Sequence, residues 1–534
     1  MKKWIIPLQT KILTIILGIL ILGGCNDDEN TDPPDLASIN KTSGDYLVDG
    51  NNQSLYIFTL DVNGSNNCSG NCLDLWPVFY EDNLNLGPGL SSEDFGEIVL
   101  SDGTKQVTYL GWPLYYYSPA GDGNLEAPGS TSGDGVNGVW FLAKEYSVLL
   151  ANDQLTGLDG KNYLDDYTEG NGISQFFVDG EGRTLYAFIK DYKDQNNFTA
   201  PDFSNDGVWP IFHDDLEALP SSLNASDFGE IDVFGEMQLT YKGWPLYYFG
   251  QDEDRGKTKG VSVPAPGVWP IVNLSIDSAP PAPNVKLSED EVLGNIIVDA
   301  QGISLYFFTR DVNGENHCTG NCESFWPIFY EEEIILKEGS TLKQADFGTI
   351  TLSDGTTKQN TYKGWPLYYF SPDGDGVVED PGETSGEGVN TVWYIAKPDY
   401  SLMIADDQLV GNDGKNYTAE YVEGDGITKY FVDSMGRTLY IWVNDAKGTN
   451  NFTAPDFSNN GVWPIFYTEI SNLPSGMNMD DFGEIMVHGE KQLTFKGWPL
   501  YYFGQDENRG ENKGVSVPAP GIWPIINNDT QDAL

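Results

Sequence analysis

The chain has 534 residues, with 29 Lys and Arg against 80 Asp and Glu, for a formal charge of -51. A surface this acidic repels phosphate backbones and anionic lipid, which excludes nucleic-acid binding. A hydrophobic fraction of 40% excludes a disordered chain, and 60 Gly with 13% aromatics favour turn-rich β structure.

The chain opens MKKWIIPLQTK, then ILTIILGILIL, then GGC. Lys2, Lys3 and Lys11 flank an apolar run at 12–22, shorter than the about 20 residues of a membrane span. It suits a signal peptide over 1–24. Leu22-Gly23-Gly24-Cys25 has the form of a lipobox, so Cys25 is expected to carry a lipid. Residues 25–45 are polar and acidic and read as a flexible tether. An acidic run directly after a lipidated Cys resembles a surface-export signal. It implies a lipid anchor in the outer membrane and a chain facing the cell exterior.

Repeats dominate the rest. NNFTAPDFSNDGVWPIF at 196–212 returns as NNFTAPDFSNNGVWPIF at 450–466, and DVNGSNNCSGNC at 61–72 as DVNGENHCTGNC at 311–322. Two duplicated halves follow, each of two related units: 46–150 and 151–275, then 287–404 and 405–528, with a Pro-rich linker at 276–286. Every unit carries a first block (LYIFTLD, LYAFIKD, LYFFTRD, LYIWVND) and a second (GWPLYYY or GWPLYYF) with a Trp further on. The blocks alternate with the period of a strand. The expected fold is all-β: a tandem repeat of four antiparallel units, the alternative being a propeller-like radial arrangement.

Besides Cys25, the Cys residues form two pairs, Cys68/Cys72 and Cys318/Cys322. An even count outside the cytoplasm reads as disulfides. The competing readings are a redox pair or a zinc site joining the halves.

The Tyr-x-(Phe/Trp)-x-x-Asp pattern, Cys-x3-Cys ahead of Trp-Pro, and GWPLYYF with its downstream Trp resemble a family of secreted-repeat lipoproteins of unknown function. The pattern falls on Tyr56, Phe58 and Asp61; Tyr186, Phe188 and Asp191; Tyr306, Phe308 and Asp311; and Tyr440, Trp442 and Asp445. The resemblance implies location and architecture, with no activity attached. The units at 151–275 and 405–528 depart from it, with an NNFTAPDFSN loop where the Cys pair stands.

Candidate chemistry is sparse. His213, His317 and His488 have Tyr467, Asn67 and Phe234 at the matching positions of the other half. A repeated His triad or His metal site is therefore excluded. Asp61, Asp191, Asp311 and Asp445 do recur, as metal ligands or general acids on one reading and as Asx-turns on the other. The acidic loops after GWPLYYF offer Asp122, Asp252, Asp375 and Asp506 as candidate Ca²⁺ ligands, though none has EF-hand spacing. Aromatic runs such as 115–117 invite a glycan platform, with core packing as the alternative. The expectation is a non-enzymatic envelope lipoprotein that binds a glycan or protein ligand or has a structural role, with no catalytic residue and no cofactor beyond a possible Ca²⁺. A redox or metal-handling protein is the alternative and a hydrolase the third reading. Oligomeric state leaves no trace in the sequence.

Overall fold

Strands and turns make up nearly all of the regular structure in the computed structural model, which describes residues 39–41 and 44–534. The signal peptide, Cys25 and most of the tether lie outside the described residues. Among the described residues the two α-helices, Asn71–Leu75 and Asn321–Phe325, have five residues each. No helix there is long and apolar enough to cross a membrane. The sheets have two or three strands and are antiparallel. The fold is thus the all-β, four-unit tandem repeat expected.

In the first unit, Tyr56–Phe58 pairs with Trp140–Leu142, and Tyr115 bridges both Tyr56 and Val78. The hairpin Phe95–Val99 with Lys105–Tyr109 continues into Trp112–Pro113. Leu110 and Gly111 both have positive φ, at 46° and 78°, the signature of a tight reversal between twisted strands. Pro113 is tolerated because Trp112–Pro113 is an edge strand. The same reversals recur at Lys242-Gly243, Lys363-Gly364 and Lys496-Gly497.

Three boundaries differ from those read off the sequence. Ile39–Lys41 is a strand paired with Leu47–Asp49, and Ile39 is fully buried, so sheet structure reaches into the predicted tether. Leu149–Thr156 and Leu402–Val410 run across the predicted unit boundaries at 150/151 and 404/405. They pair with Ile173–Val178 and Ile427–Asp433. The chain divides between Ala279 and Pro280, inside the predicted 276–286 linker. That linker is not free, because Ala279 is buried on the first half and Val285–Asp290 opens the second with a strand.

Within each half the two units share a core. In the first half one cluster runs from Ile39 to Val272. Arg255 joins the units: its Nε donates to Val62 O at 2.6 Å and its Nη1 to Leu110 O at 2.6 Å, with the guanidinium 4.6 Å from the Trp112 ring. Arg509 repeats this in the second half with Val312 O, Lys363 O and Trp365. A Cβ on Gly111 or Gly364 would collide with the guanidinium, which is why Gly opens GWPL there.

Candidate functional site

The recurring motif closes on itself in every unit. After the strand Tyr56–Phe58 the chain enters a 3-10 turn, Thr59–Asp61, which buries the carboxylate. Asp61 Oδ2 accepts from Tyr115 OH at 2.6 Å and Oδ1 from the Asn67 backbone N–H at 2.7 Å. Asp191 does the same with Tyr247 and Asn197, at 2.7 Å each. Asp311 takes Tyr368 and the His317 N–H; Asp445 takes Tyr501 and Asn451. The bond to a backbone N–H of the next loop is the one the turn reading expects, and the Tyr hydroxyl adds a second, long-range one. Together they make buried clamps tying the first block to the second Tyr-bearing block.

The motif Tyr makes a second clamp. Tyr56 OH donates to Glu126, Tyr186 to Asp252, Tyr306 to Glu379 and Tyr440 to Asp506. Each hydroxyl also accepts a backbone N–H, from Gly133, Gly260, Gly386 and Gly514. The four Ca²⁺ candidates are therefore not equivalent. Asp252 and Asp506 are buried against a Tyr, whereas Asp122 and Asp375 cap exposed turns. Among the described residues no group of three or more His, Cys, Asp or Glu is arranged to hold a metal.

A third clamp escaped the sequence reading. Tyr116, Tyr248, Tyr369 and Tyr502 donate to Asp49, Asp179, Asp299 and Asp433 at 2.6 to 3.0 Å. Its signal in the sequence is the recurring Val-Asp before each first block, Val48-Asp49, Val178-Asp179, Val298-Asp299 and Val432-Asp433. GWPLYYY is thus consumed by the core: Tyr115 is fully buried, Tyr116 is clamped and Tyr117 stacks on Trp76. No aromatic platform for a sugar remains in it.

The motif aromatic begins a column of four rings. Phe58 stacks on Trp140 at 4.1 Å, Trp140 on Trp76 at 3.8 Å, and Trp76 on Tyr117 at 4.4 Å. The Trp pairs 209/269, 326/393 and 463/523 each stack at 3.7 Å. Phe188, Phe308 and Trp442 extend them on one side.

The Cys pairs are disulfides, with Cα separations of 5.4 Å for Cys68–Cys72 and 5.2 Å for Cys318–Cys322. Their place in the unit is informative. Cys68 N–H donates to Asn66 Oδ1 at 2.9 Å, and Phe198 N–H donates to Asn196 Oδ1 at 2.9 Å. Phe198 then packs edge-on against Trp269 at 4.8 Å, and Phe452 against Trp523 likewise. A disulfide and a phenyl ring fill the same position beside the column. Reduction is accordingly expected to cost about 2 kcal/mol per bridge, the entropy of so short a loop, and to leave the fold intact. Thermal unfolding with and without a phosphine reductant checks this.

Burial pushes the Asp61 and Asp191 carboxyls up to about 7, opposed by the Tyr hydroxyl and the backbone N–H. Asp506 rises to about 7 and Asp445 to about 6 for the same reason. His317 Nδ1 lies 3.3 Å from Asp311 Oδ1, and its pKa is raised by that carboxylate. His213 pairs with Glu230 and His488 with Thr453 O, so the three rings do not converge.

One open groove stands out, of about 860 Å³, between the disulfide loop and a hairpin of the third unit. Glu315, Thr319 and Glu323 line one wall, Ile350, Leu352 and Asp354 the other.

Comparison with known families agrees with this geometry. Residues 98–144, 232–273, 348–397 and 487–526 each match the family described as a secreted repeat of unknown function. The matches fall once in each unit, from the central hairpin through GWPLYYF to the closing strand or Trp-Pro segment. No curated protein and no solved structure matches the chain.

Proposed function

We propose that the chain is a non-catalytic envelope lipoprotein, anchored through a lipid on Cys25 and displayed outward as a binding or structural module. The observation that carries this reading is the fate of the recurring residues. In all four units the motif Tyr and Asp are spent on buried clamps, and the motif aromatic on a ring column. What recurs is therefore what the fold needs. The redox alternative has less support, because Phe198 and Phe452 fill the position of the disulfides in the other two units. A ligand would sit in the groove beside Cys318–Cys322, which is lined by carboxylates, hydroxyls and the apolar Ile350 and Leu352.

Cell fractionation tests the anchor: Cys25→Ala is expected to lose fatty-acid labelling and leave the membrane fraction. Unchanged labelling would refute it. Thr319→Arg tests the groove. It is expected to weaken at least tenfold any affinity found on a glycan or protein array, at unchanged Tm; an unaffected affinity places binding elsewhere.

A further inference from the structure

In three of the four units the outer strand of the central hairpin carries a guard. Glu97, Glu230 and Glu484 stand at the same place after Asp-Phe-Gly, and they pair with Lys105, His213 and Lys491. Charged side chains on an edge strand keep other chains from pairing with it. The third unit lacks this guard. Its edge strand Phe347–Thr351 reads FGTIT, with Thr349 where the Glu stands and no charged residue. Leu352 N–H donates to Thr357 O at 2.8 Å and Lys363 N–H to Asp346 O at 2.6 Å. Hydrogen-bonded pairs alternate along an antiparallel ladder. Between these two bonds, Gly348 and Ile350 therefore turn their main-chain groups toward the neighbouring strand. Thr349 and Thr351 turn theirs outward.

The groove beside this edge is closed in two of the other units. There the longer NNFTAPDFSN loop meets the hairpin tip: Phe203 packs edge-on against Phe234 at 6.4 Å, and Phe457 against the His488 ring at 5.9 Å. Val233 and Val487 are buried at those tips, whereas Leu352, at the same place in the third unit, is half-buried and lines the groove. Across from it the disulfide loop presents the exposed Glu315 and Glu323, where the first unit has Ser65 and Leu73. We propose that the third unit takes an extended, basic segment of a partner polypeptide as an added antiparallel strand on Phe347–Thr351. This rests on the reading of the groove as a ligand site and names its ligand. Free main-chain groups on a sheet edge call for another main chain, which a glycan does not have. Residues of the added strand opposite Thr349 and Thr351 make the hydrogen bonds. Those opposite Gly348 and Ile350 share the face of the Ile350 side chain and enter the groove. Glu315, Glu323 and Asp354 line it, so Lys and Arg are the side chains that complement it.

The probe is the peptide Thr-Lys-Thr-Lys-Thr-Lys-Thr, labelled and blocked at its ends, titrated with the full chain at low salt and followed by fluorescence anisotropy. Saturable binding is expected. N-methylation of the Thr residues, which keeps every charge and removes the pairing donors, is expected to weaken it at least tenfold. Thr351→Pro should do the same at unchanged Tm, because the N–H it removes faces away from the neighbouring strand. Glu315→Ser with Glu323→Leu, the residues of the first unit, should match that loss, and a peptide with Glu for Lys should not bind. Equal binding of the methylated peptide overturns the proposal, since attraction to the acidic surface alone would then account for it. So does absence of binding. So does self-association, seen by light scattering, that Thr351→Pro abolishes, since the edge would then serve a second copy. Thr319→Arg separates the two readings. A glycan that it weakens, with no peptide bound, keeps the groove and sinks the strand; peptide binding that it leaves unchanged sinks both.

Discussion

Asp191→Ala is expected to destabilise the first half by about 3 kcal/mol or more at pH 5.5. The substitution strips the acceptor from the buried Tyr247 OH and from the Asn197 N–H at the edge of the loop, both at 2.7 Å. A buried donor left unpaired costs about 1–3 kcal/mol. No disulfide in the second unit masks the loss, which makes this the cleanest of the four clamps to test. Asp191→Asn keeps an acceptor oxygen and the size of the neutral acid, so it should cost under about 1 kcal/mol at the same pH. Tyr247→Phe removes the other partner. Urea denaturation of the single and double variants closes the cycle, and the double should cost clearly less than the two singles added. Additive losses, or a loss below about 1 kcal/mol for Asp191→Ala, would mean the clamp does not hold the blocks together.

That clamp also marks how far the sequence could be read. Asp191 and Tyr247 each recur in all four units, so their importance was visible from the chain alone. Their partnership was not. The two residues lie in different blocks, and repetition copies both at a fixed spacing without saying that they touch. The acidic loops show the same limit more sharply. Their order after GWPLYYF sets Asp122 beside Asp252, whereas the residue that occupies the place of Asp252 is Glu126, brought under Tyr56 by a longer loop. The Cys pairs were legible as disulfides, yet their equivalence to Phe198 and Phe452 needed the shared Asn66 and Asn196 caps to be seen in space. Unit boundaries failed for a different reason. Leu149–Thr156 and Leu402–Val410 are strands that each begin in one repeat and pair in the next, so no cut by repeat similarity respects them.

Acid should stabilise the protein and mild alkali weaken it, the reverse of the usual carboxylate effect. Asp61, Asp191 and Asp506 titrate at about 7 in the fold, and Asp445 at about 6, against an ordinary value of 3.8. The folded state therefore holds protons on these groups that the unfolded chain has released. Their contribution is full below about pH 4 and is lost as pH rises through 6 to 7, where the buried carboxyls ionise. Each tenfold difference in proton affinity between folded and unfolded chain is worth about 1.4 kcal/mol, so the loss from pH 5 to pH 8 amounts to several kcal/mol for the chain. The formal charge of -51 acts in the same direction, because protonation relieves self-repulsion. Among the described residues ten carboxylates oppose them: hydrogen bonds hold Asp354 and Glu511 at about 2 and lower Asp102, Asp122, Asp159, Asp166, Asp202, Asp413, Asp456 and Glu484. Their contribution is lost only as pH falls toward 2. Calorimetry should show Tm lower at pH 8 than at pH 5 by about 5 °C or more. Asp191→Asn supplies the internal control. It cannot ionise, so it should flatten the profile, costing little at pH 5.5 and raising Tm above the parent at pH 8. A parent whose Tm rises from pH 5 to pH 8 would show that these four carboxylates are ionised and well paired inside the fold, and that hydrogen bonding by Tyr115, Tyr247, Tyr440 and Tyr501 outweighs their burial.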